Sequence, residues 1–226
     1  GIARTENSDL HGLVINGEGS GINQKDLAGL FQERLDQADL NGGITFAEGR
    51  IAEIICEHAL VNDLVIMKLS HPPSSNVFQR LRSGLRLVLR QSSCPVLLVQ
   101  NRISPLNRLL LAYDGSPKGK EALFIASYLV KRHHKQLTIL VVDEDKVRGR
   151  GLLAEAEGYI SGKNVHGIFR ETTQRTSEVI LQAALEESAE VILIGGYGFS
   201  PILEILFGSA VDGVLRGTNI PILVCQ

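Results

Sequence analysis

Three short segments of this 226-residue chain occur twice, in the same order and at nearly the same spacing. Glu53 to Leu60 (EIICEHAL) returns as Glu178 to Leu185 (EVILQAAL), Asp63 to Met67 (DLVIM) as Glu190 to Ile194 (EVILI), and Cys94 to Leu98 (CPVLL) as Ile220 to Val224 (IPILV). The first residues of these pairs lie 125, 127 and 126 positions apart. One such match is chance, but three in order indicate a duplication, and self-similarity at a fixed period constrains the architecture before any local reading does. The chain is therefore read as two units, residues 1–102 and 106–226.

The later unit is the clearer one. Leu109 to Tyr113 is a short apolar run ending at Asp114-Gly115, which reads as a buried strand and a turn. Ser116-Pro117 opens a helix with a capping side chain and a proline at its first position. Leu137 to Val142 is a second buried strand, a helical segment follows near Leu152 to Ile160, and His166 to Arg170 is a shorter strand. Ser177 to Glu187 places Val179, Ile180, Ala183 and Ala184 on one helical face. Val191 to Ile194 is a fourth strand, Val211 to Leu215 sits in a last helix, and Pro221 to Cys225 is the final strand.

Alternating strands and helices of this kind demand a mostly parallel sheet covered by helices on both faces. The earlier unit repeats the order from its second strand onward: strand Gly12 to Ile15, helix Asp26 to Ala38, strand Ile44 to Ala47, helix Ile51 to Ala59, strand Leu64 to Met67, helix near Leu81 to Arg90, strand Pro95 to Val99. It lacks the opening strand and helix, and Gly1 to Leu10 is polar and reads as shapeless. The expected fold class is α/β: two tandem, open, mostly parallel sheets of the five-stranded type flanked by helices, the first incomplete at its N-terminus. Other residues, or another molecule, are expected to fill that place.

The chemistry-bearing signal follows the fourth strand of the later unit. Gly195 and Gly198 are separated by two residues, nine more follow, and then Gly208-Ser209 precedes the last helix, giving G-x2-G-x9-G-S. Glycines at a strand's end let the backbone approach a ligand closely. A helix start with free amides and a hydroxyl suits phosphate oxygens. Asp114, at the end of the first strand, is placed to accept from an amino or hydroxyl group, and equally reads as an Asp-Gly turn that needs no ligand.

With both motifs at this separation, the later unit resembles the universal stress protein family in its nucleotide-binding branch, which has the fold called adenine nucleotide alpha hydrolase-like. The resemblance covers about 120 residues closely. It implies that Asp114 contacts the adenine edge, with Ala112 and Tyr113 beside the base. Val141 or Val142 would bond adenine through the backbone. Gly195 and Gly198 would approach the ribose and first phosphates, and Gly208, Ser209 and Ala210 would bind the outer phosphates. The loop from Phe199 to Phe207 departs from the family in having no Lys or Arg and in carrying Glu204. The ligand is thus left open among ATP, ADP and AMP, with Mg2+ expected only beside a triphosphate. In the earlier unit the matching loop begins Lys68-Leu69-Ser70-His71 and ends Arg82-Ser83-Gly84; its glycines are gone and no second nucleotide is expected there.

Composition removes other classes. Aromatics are 5% of residues, Trp is absent and the net charge is −2, so neither stacking platforms nor a basic footprint for nucleic acid is present. No apolar run reaches the ~18 residues of a membrane span. Cys56, Cys94 and Cys225 lie in apolar surroundings without ligand spacing and read as reduced, buried thiols, in keeping with a cytoplasmic location. His133-His134 point apart on a helix, and Arg148-Gly149-Arg150 with Lys146 reads as a solvated basic turn. No catalytic or metal-binding residues are assigned; slow ATP hydrolysis is the most that is expected.

The function expected is adenine-nucleotide binding by a tandem stress-response regulator, with association through the last strands, Pro95 to Val99 and Pro221 to Cys225: bare apolar strands need covering, so these are expected to cover each other or the equivalent strand of a second chain. Two alternatives stand: the cytosolic tail of a membrane transporter, prompted by the absent first strand and initiator Met, and a dimerisation module that binds no nucleotide.

Overall fold

The computed structural model describes residues 2–16, 23–69, 84–100, 104–160, 164–196 and 210–226. Packing divides the chain into two compact units, Gly1–His58 and Ala59–Gln226. This line falls elsewhere than the one drawn from repetition, because the strands after residue 59 join the later repeat.

The first unit holds helix α1 (Ile2–Glu6), strand β1 (Leu10–Asn16), helix α2 (Gln24–Ala38), strand β2 (Gly42–Glu48) and the start of helix α3 (Ile51–Ala59). Strands β1 and β2 pair in parallel from Leu10↔Gly42 to Asn16↔Glu48. The Asn23 side chain accepts from Lys25 N at the start of α2, and Asp39 closes it in the left-handed region at φ 52°. Leu35 of α2 is buried, and the Phe31 ring and the Ile44 side chain both close on Gly12. Helix α1 forms where shapeless chain was expected; Arg4 Nε donates to Ala38 O at 2.9 Å.

The second unit contains β3 (Val65–Lys68), α4 (Gly84–Gln91), β4 (Val96–Val99), β5 (Arg108–Ala112), α5 (Pro117–His133), β6 (Gln136–Asp143), α6 (Lys146–Tyr159), β7 (Val165–Glu171), α7 (Thr176–Glu186), β8 (Val191–Gly195), α8 (Ala210–Gly217) and β9 (Ile222–Cys225). These strands build one seven-stranded sheet in the order β3-β4-β9-β8-β5-β6-β7. Every neighbouring pair is parallel except β4 and β9, which run antiparallel with Val96↔Val224, Leu97↔Leu223 and Leu98↔Ile222.

The α/β class is as expected; the partition into sheets is not. Instead of two separate five-stranded-type sheets, β3 and β4 extend the later repeat's five strands, and β1 with β2 forms a two-stranded sheet of its own. In the later repeat, the first strand, β5, sits at the centre between β8 and β6. The earlier repeat has no such strand among the described residues, so nothing joins its β1–β2 and β3–β4 pairs into one sheet. The last strands pair with each other inside one chain, which is the first of the two pairings expected of them. Each has a neighbour on both edges, so neither offers an edge to a second copy.

Local details recur at the spacing seen in the sequence. Val65 N donates to Pro95 O and Ile192 N to Pro221 O, both at 3.0 Å; Leu69 N donates to Val99 O and Gly196 N to Cys225 O, both at 2.7 Å. Ser92 Oγ accepts from Cys94 N, and Thr218 Oγ1 from Ile220 N.

The central strands are apolar on both faces because helices cover both. Leu110, Leu111, Ile139, Ile192 and Leu193 are fully buried, each contributing about 1.5–3 kcal/mol relative to exposure. Cys94 and Cys225 are buried free thiols, and Cys56 is half-buried. Burial pushes the Cys225 thiol up to about 12, with Glu121 adding to the shift. No helix among the described residues is long and apolar enough to cross a membrane.

Candidate functional site

The order of the sheet reverses at β5. From there one branch of the chain moves to β6 and β7, the other to β8 and β9. A crevice at the carboxyl ends of strands beside such a reversal is where open α/β sheets take ligands. Here that end carries a cavity of about 490 Å3, whose lining includes Asp114, Val142, Asp143, Arg148, Thr172 and Gln174. A smaller hollow of about 280 Å3 lies at the opposite strand ends, beside Gln136 and His166.

The register explains how the cavity's floor arises. Strand β6 is eight residues long against five for β5, so it runs on after its neighbour has ended. Gln136 N donates to Asn107 O and Tyr113 N to Leu140 O, which sets the even residues of β6 toward β5. Leu137 N donates to Asn164 O and Thr172 N to Asp143 O, which sets the odd residues toward β7. By this alternation the N–H and C=O of Val142 face the side from which β5 has departed, while those of Val141 face β7. Val141 is also fully buried, and Val142 lines the cavity.

Asp114 follows β5 immediately. One of its oxygens, Oδ1, accepts from Ser116 N at 3.0 Å. The same oxygen lies 2.3 Å from where a Cβ on Gly119 would stand, so the carboxylate rests against the first turn of α5. Negative charge is favoured there by the helix dipole. Ser116 caps the helix, its hydroxyl accepting from Gly119 N at 3.0 Å. Gly115 has φ +74°, the left-handed conformation that glycine adopts without strain.

Tyr113 departs from its expected place beside a base. Its ring is 2% exposed and belongs to the apolar core, with its hydroxyl donating to Glu155 Oε1 at 3.1 Å. Burial first, and the Glu155 carboxylate second, push its phenol up to about 12. Ala112 is half-buried at the end of β5.

The sequence reading missed Arg148. Exposed as expected, its guanidinium nevertheless forks onto a strand-end acid, Nε to Asp143 Oδ2 and Nη2 to Asp143 Oδ1, both at 2.7 Å. Asp145 caps the same helix, α6, accepting from Val147 N and Arg148 N. The spacing D-x-D-x-x-R carries this arrangement: strand-end acid, cap, and an arginine in the first turn that folds back. The guanidinium, and then the Asp145 N–H, hold the Asp143 carboxyl down at about 2. Its folded value lies below the ordinary 3.8, so the pair's contribution to stability is present above about pH 4 and lost as pH falls toward 2. A carboxyl-carbon NMR titration is expected to show Asp143 ionised down to about pH 2 in the parent and titrating at higher pH in Arg148→Gln, still below the ordinary value because the Asp145 N–H bond remains.

At the end of β8, Gly195 is dictated by packing. A Cβ there would stand 2.9 Å from Gly119 N and 3.0 Å from Lys118 C, against the start of α5. Beside it, the Lys118 ammonium lies 3.3 Å from the position of a Cβ on Gly196, bringing a cation from α5 to the head of the glycine loop. Gly198, Gly208 and Ser209 lie outside the described residues, as do the expected loop features from Ser70 to Ser83. Ala210, half-buried, opens α8.

The electrostatics of the cavity are acidic. Asp114, Asp143 and Glu144 line it, against the single guanidinium of Arg148, which Asp143 already engages. Such a lining suits hydroxyl and amino donors rather than phosphate oxygens.

The family model described as the universal stress protein family matches residues 105–226. The chain is 25% identical over 146 residues to the universal stress protein YxiE of Bacillus subtilis, covering 53% of this chain and 99% of that one. It is 25% identical over 146 residues to a universal stress protein of Synechocystis, covering 63% of this chain and spanning only 50% of that protein's length. A crystal structure of a universal stress protein from Archaeoglobus fulgidus superposes with a TM-score of 0.73 at 22% identity, covering 97% of this chain and 86% of that one, which shows the shared fold. Other solved universal stress proteins hold cAMP and dAMP by their descriptions; they cover about half of this chain, at TM-scores of 0.44 and 0.43, and those ligands are properties of those proteins.

Proposed function

The chain belongs to the universal stress protein family, and from that premise we propose that it is an adenine-nucleotide-binding regulatory protein, built of two tandem repeats, with its site in the later one. The observation that carries the reading is the 490 Å3 cavity beyond the end of β5, with Asp114 on one side and the outward-facing backbone of Val142 on the other. A planar base bearing an amino group and a ring-nitrogen acceptor meets a C=O and an N–H at the second position. Asp114 accepts from the amino group or a ribose hydroxyl. The acidic lining repels phosphates, so the phosphate tail turns toward β8, where Gly195 keeps the backbone bare and Lys118 supplies positive charge. Gly198, Gly208, Ser209 and Ala210 then complete the phosphate end through backbone amides and the start of α8.

The duplicated segments and the hydrogen bonds recurring 126 and 127 residues apart support the tandem reading. The earlier repeat serves as a packing partner rather than a second site. Slow ATP hydrolysis is the most turnover that this reading includes.

Isothermal calorimetry with ATP, ADP and AMP tests this directly. At least one of the three is expected to bind with one site per chain. Absence of binding by all three at millimolar concentration overturns the proposal.

A further inference from the structure

Strand β3 ends the seven-stranded sheet, and among the described residues nothing pairs with its outer edge. Its counterpart in the later repeat, β8, has β9 on one side and β5 on the other, with Leu109↔Val191 through Ala112↔Ile194 in parallel register. Helix α5, which follows β5, lies over β8 and β9. Matching positions in the two strands differ sharply in exposure. Leu64 is 37% exposed where Val191 is 4%, and Ile66 is 54% exposed where Leu193 is fully buried. The helix before each strand does not diverge this way: Ile54 and its counterpart Val179 are both buried, at 9% and 7%, and Leu60 and its counterpart Leu185 are both well exposed, at 73% and 76%.

The backbone tells the same story. Val65 N and Leu69 N donate to β4's carbonyls at Pro95 and Val99. By alternation, the N–H and C=O groups of Ile66 and Lys68 face away from β4, toward the open edge. An apolar strand edge with its hydrogen-bonding groups unpaired is a template for another strand.

We infer that the β3 edge is a docking site for a strand–helix polypeptide segment. Its strand lies parallel to β3 and takes up the backbone groups of Ile66 and Lys68; its helix presents an apolar face that covers Leu64 and Ile66. The chemistry of the occupant is that of β5 and α5: four or five apolar residues, a tight turn, and an amphipathic helix. A strand alone satisfies the edge but leaves both side chains exposed. Pairing of two β3 edges from two copies has the same defect, since it brings no helix. This inference concerns the β3 edge alone and stands whether or not a nucleotide binds at the other end of the sheet.

The test uses the whole chain and a synthetic peptide with the sequence of residues 107–134. Amide hydrogen exchange at Ile66 and Lys68 is expected to slow at least tenfold on adding saturating peptide. A peptide with Leu110→Pro and Leu111→Pro, which cannot form the strand, is expected to give no protection. Because Ile66 is exposed, Ile66→Asp leaves the chain folded and is expected to abolish the peptide's effect. Unchanged exchange at both amides overturns the inference, as does protection in the chain alone that rises with its own concentration, the sign of a β3–β3 dimer.

Discussion

Asp114→Ala is expected to weaken adenine-nucleotide binding ten- to a hundredfold while lowering stability by only about 1 kcal/mol. Two roles compete for this carboxylate, and the structure gives each a physical basis. As a turn residue, Oδ1 accepts from Ser116 N, a hydrogen bond whose net contribution is about 0.5–1.5 kcal/mol. As a ligand residue, the carboxylate lines the cavity and meets an amino or hydroxyl donor through a charge-assisted bond, about 1.5–3 kcal/mol and so roughly ten- to a hundredfold in affinity. Asp114→Asn separates the two, since an amide oxygen still accepts from Ser116 N while the negative charge is gone. It is expected to melt like the parent and to bind with intermediate affinity. Calorimetric titrations beside thermal melts of all three proteins decide the matter. Should Asp114→Ala bind within twofold of the parent and lose only stability, the residue is a turn and the base edge is read elsewhere.

The legibility of this molecule follows from how local each feature is. Strand and helix identities in the later repeat were readable because their periods and caps are written in adjacent residues; Ser116-Pro117 marks the start of α5 and the structure begins it at Pro117. Where sequence reasoning stopped short, a feature depended on neighbours distant in the chain. The choice between Val141 and Val142 turns on β6 being longer than β5, a fact about register that neither segment contains. The ion pair of the exposed Arg148 was not legible because its partner, Asp143, belongs to a different element and the fold-back geometry is made by the cap at Asp145. The nearness of Lys118 to Gly196 was not legible because it depends on the strand order, which brings the start of α5 against the end of β8. The family resemblance sets Tyr113 beside the base, whereas period-two alternation turns its ring into the core.

The boundary near residue 102 shows the same limit at the scale of whole units, and Leu98→Ala tests what replaces it. Repetition marks where one copied segment ends; cooperativity depends on which strands share a sheet. Leu98 is 2% exposed and stands opposite Ile222 across the antiparallel β4–β9 seam, so its truncation opens a cavity inside the seven-stranded sheet. The expected cost is about 2–5 kcal/mol of unfolding free energy. The four tyrosines, Tyr113, Tyr128, Tyr159 and Tyr197, all lie in the later repeat, and the chain has no Trp. Tyrosine fluorescence during urea denaturation therefore reports on that repeat alone, although the substitution is made in the other. A fall in the tyrosine midpoint is expected, because β4 and the five later strands melt as one body. An unmoved midpoint, with far-ultraviolet circular dichroism resolving a separate early transition, means instead that the repeats unfold independently and that the β4–β9 ladder couples them only weakly.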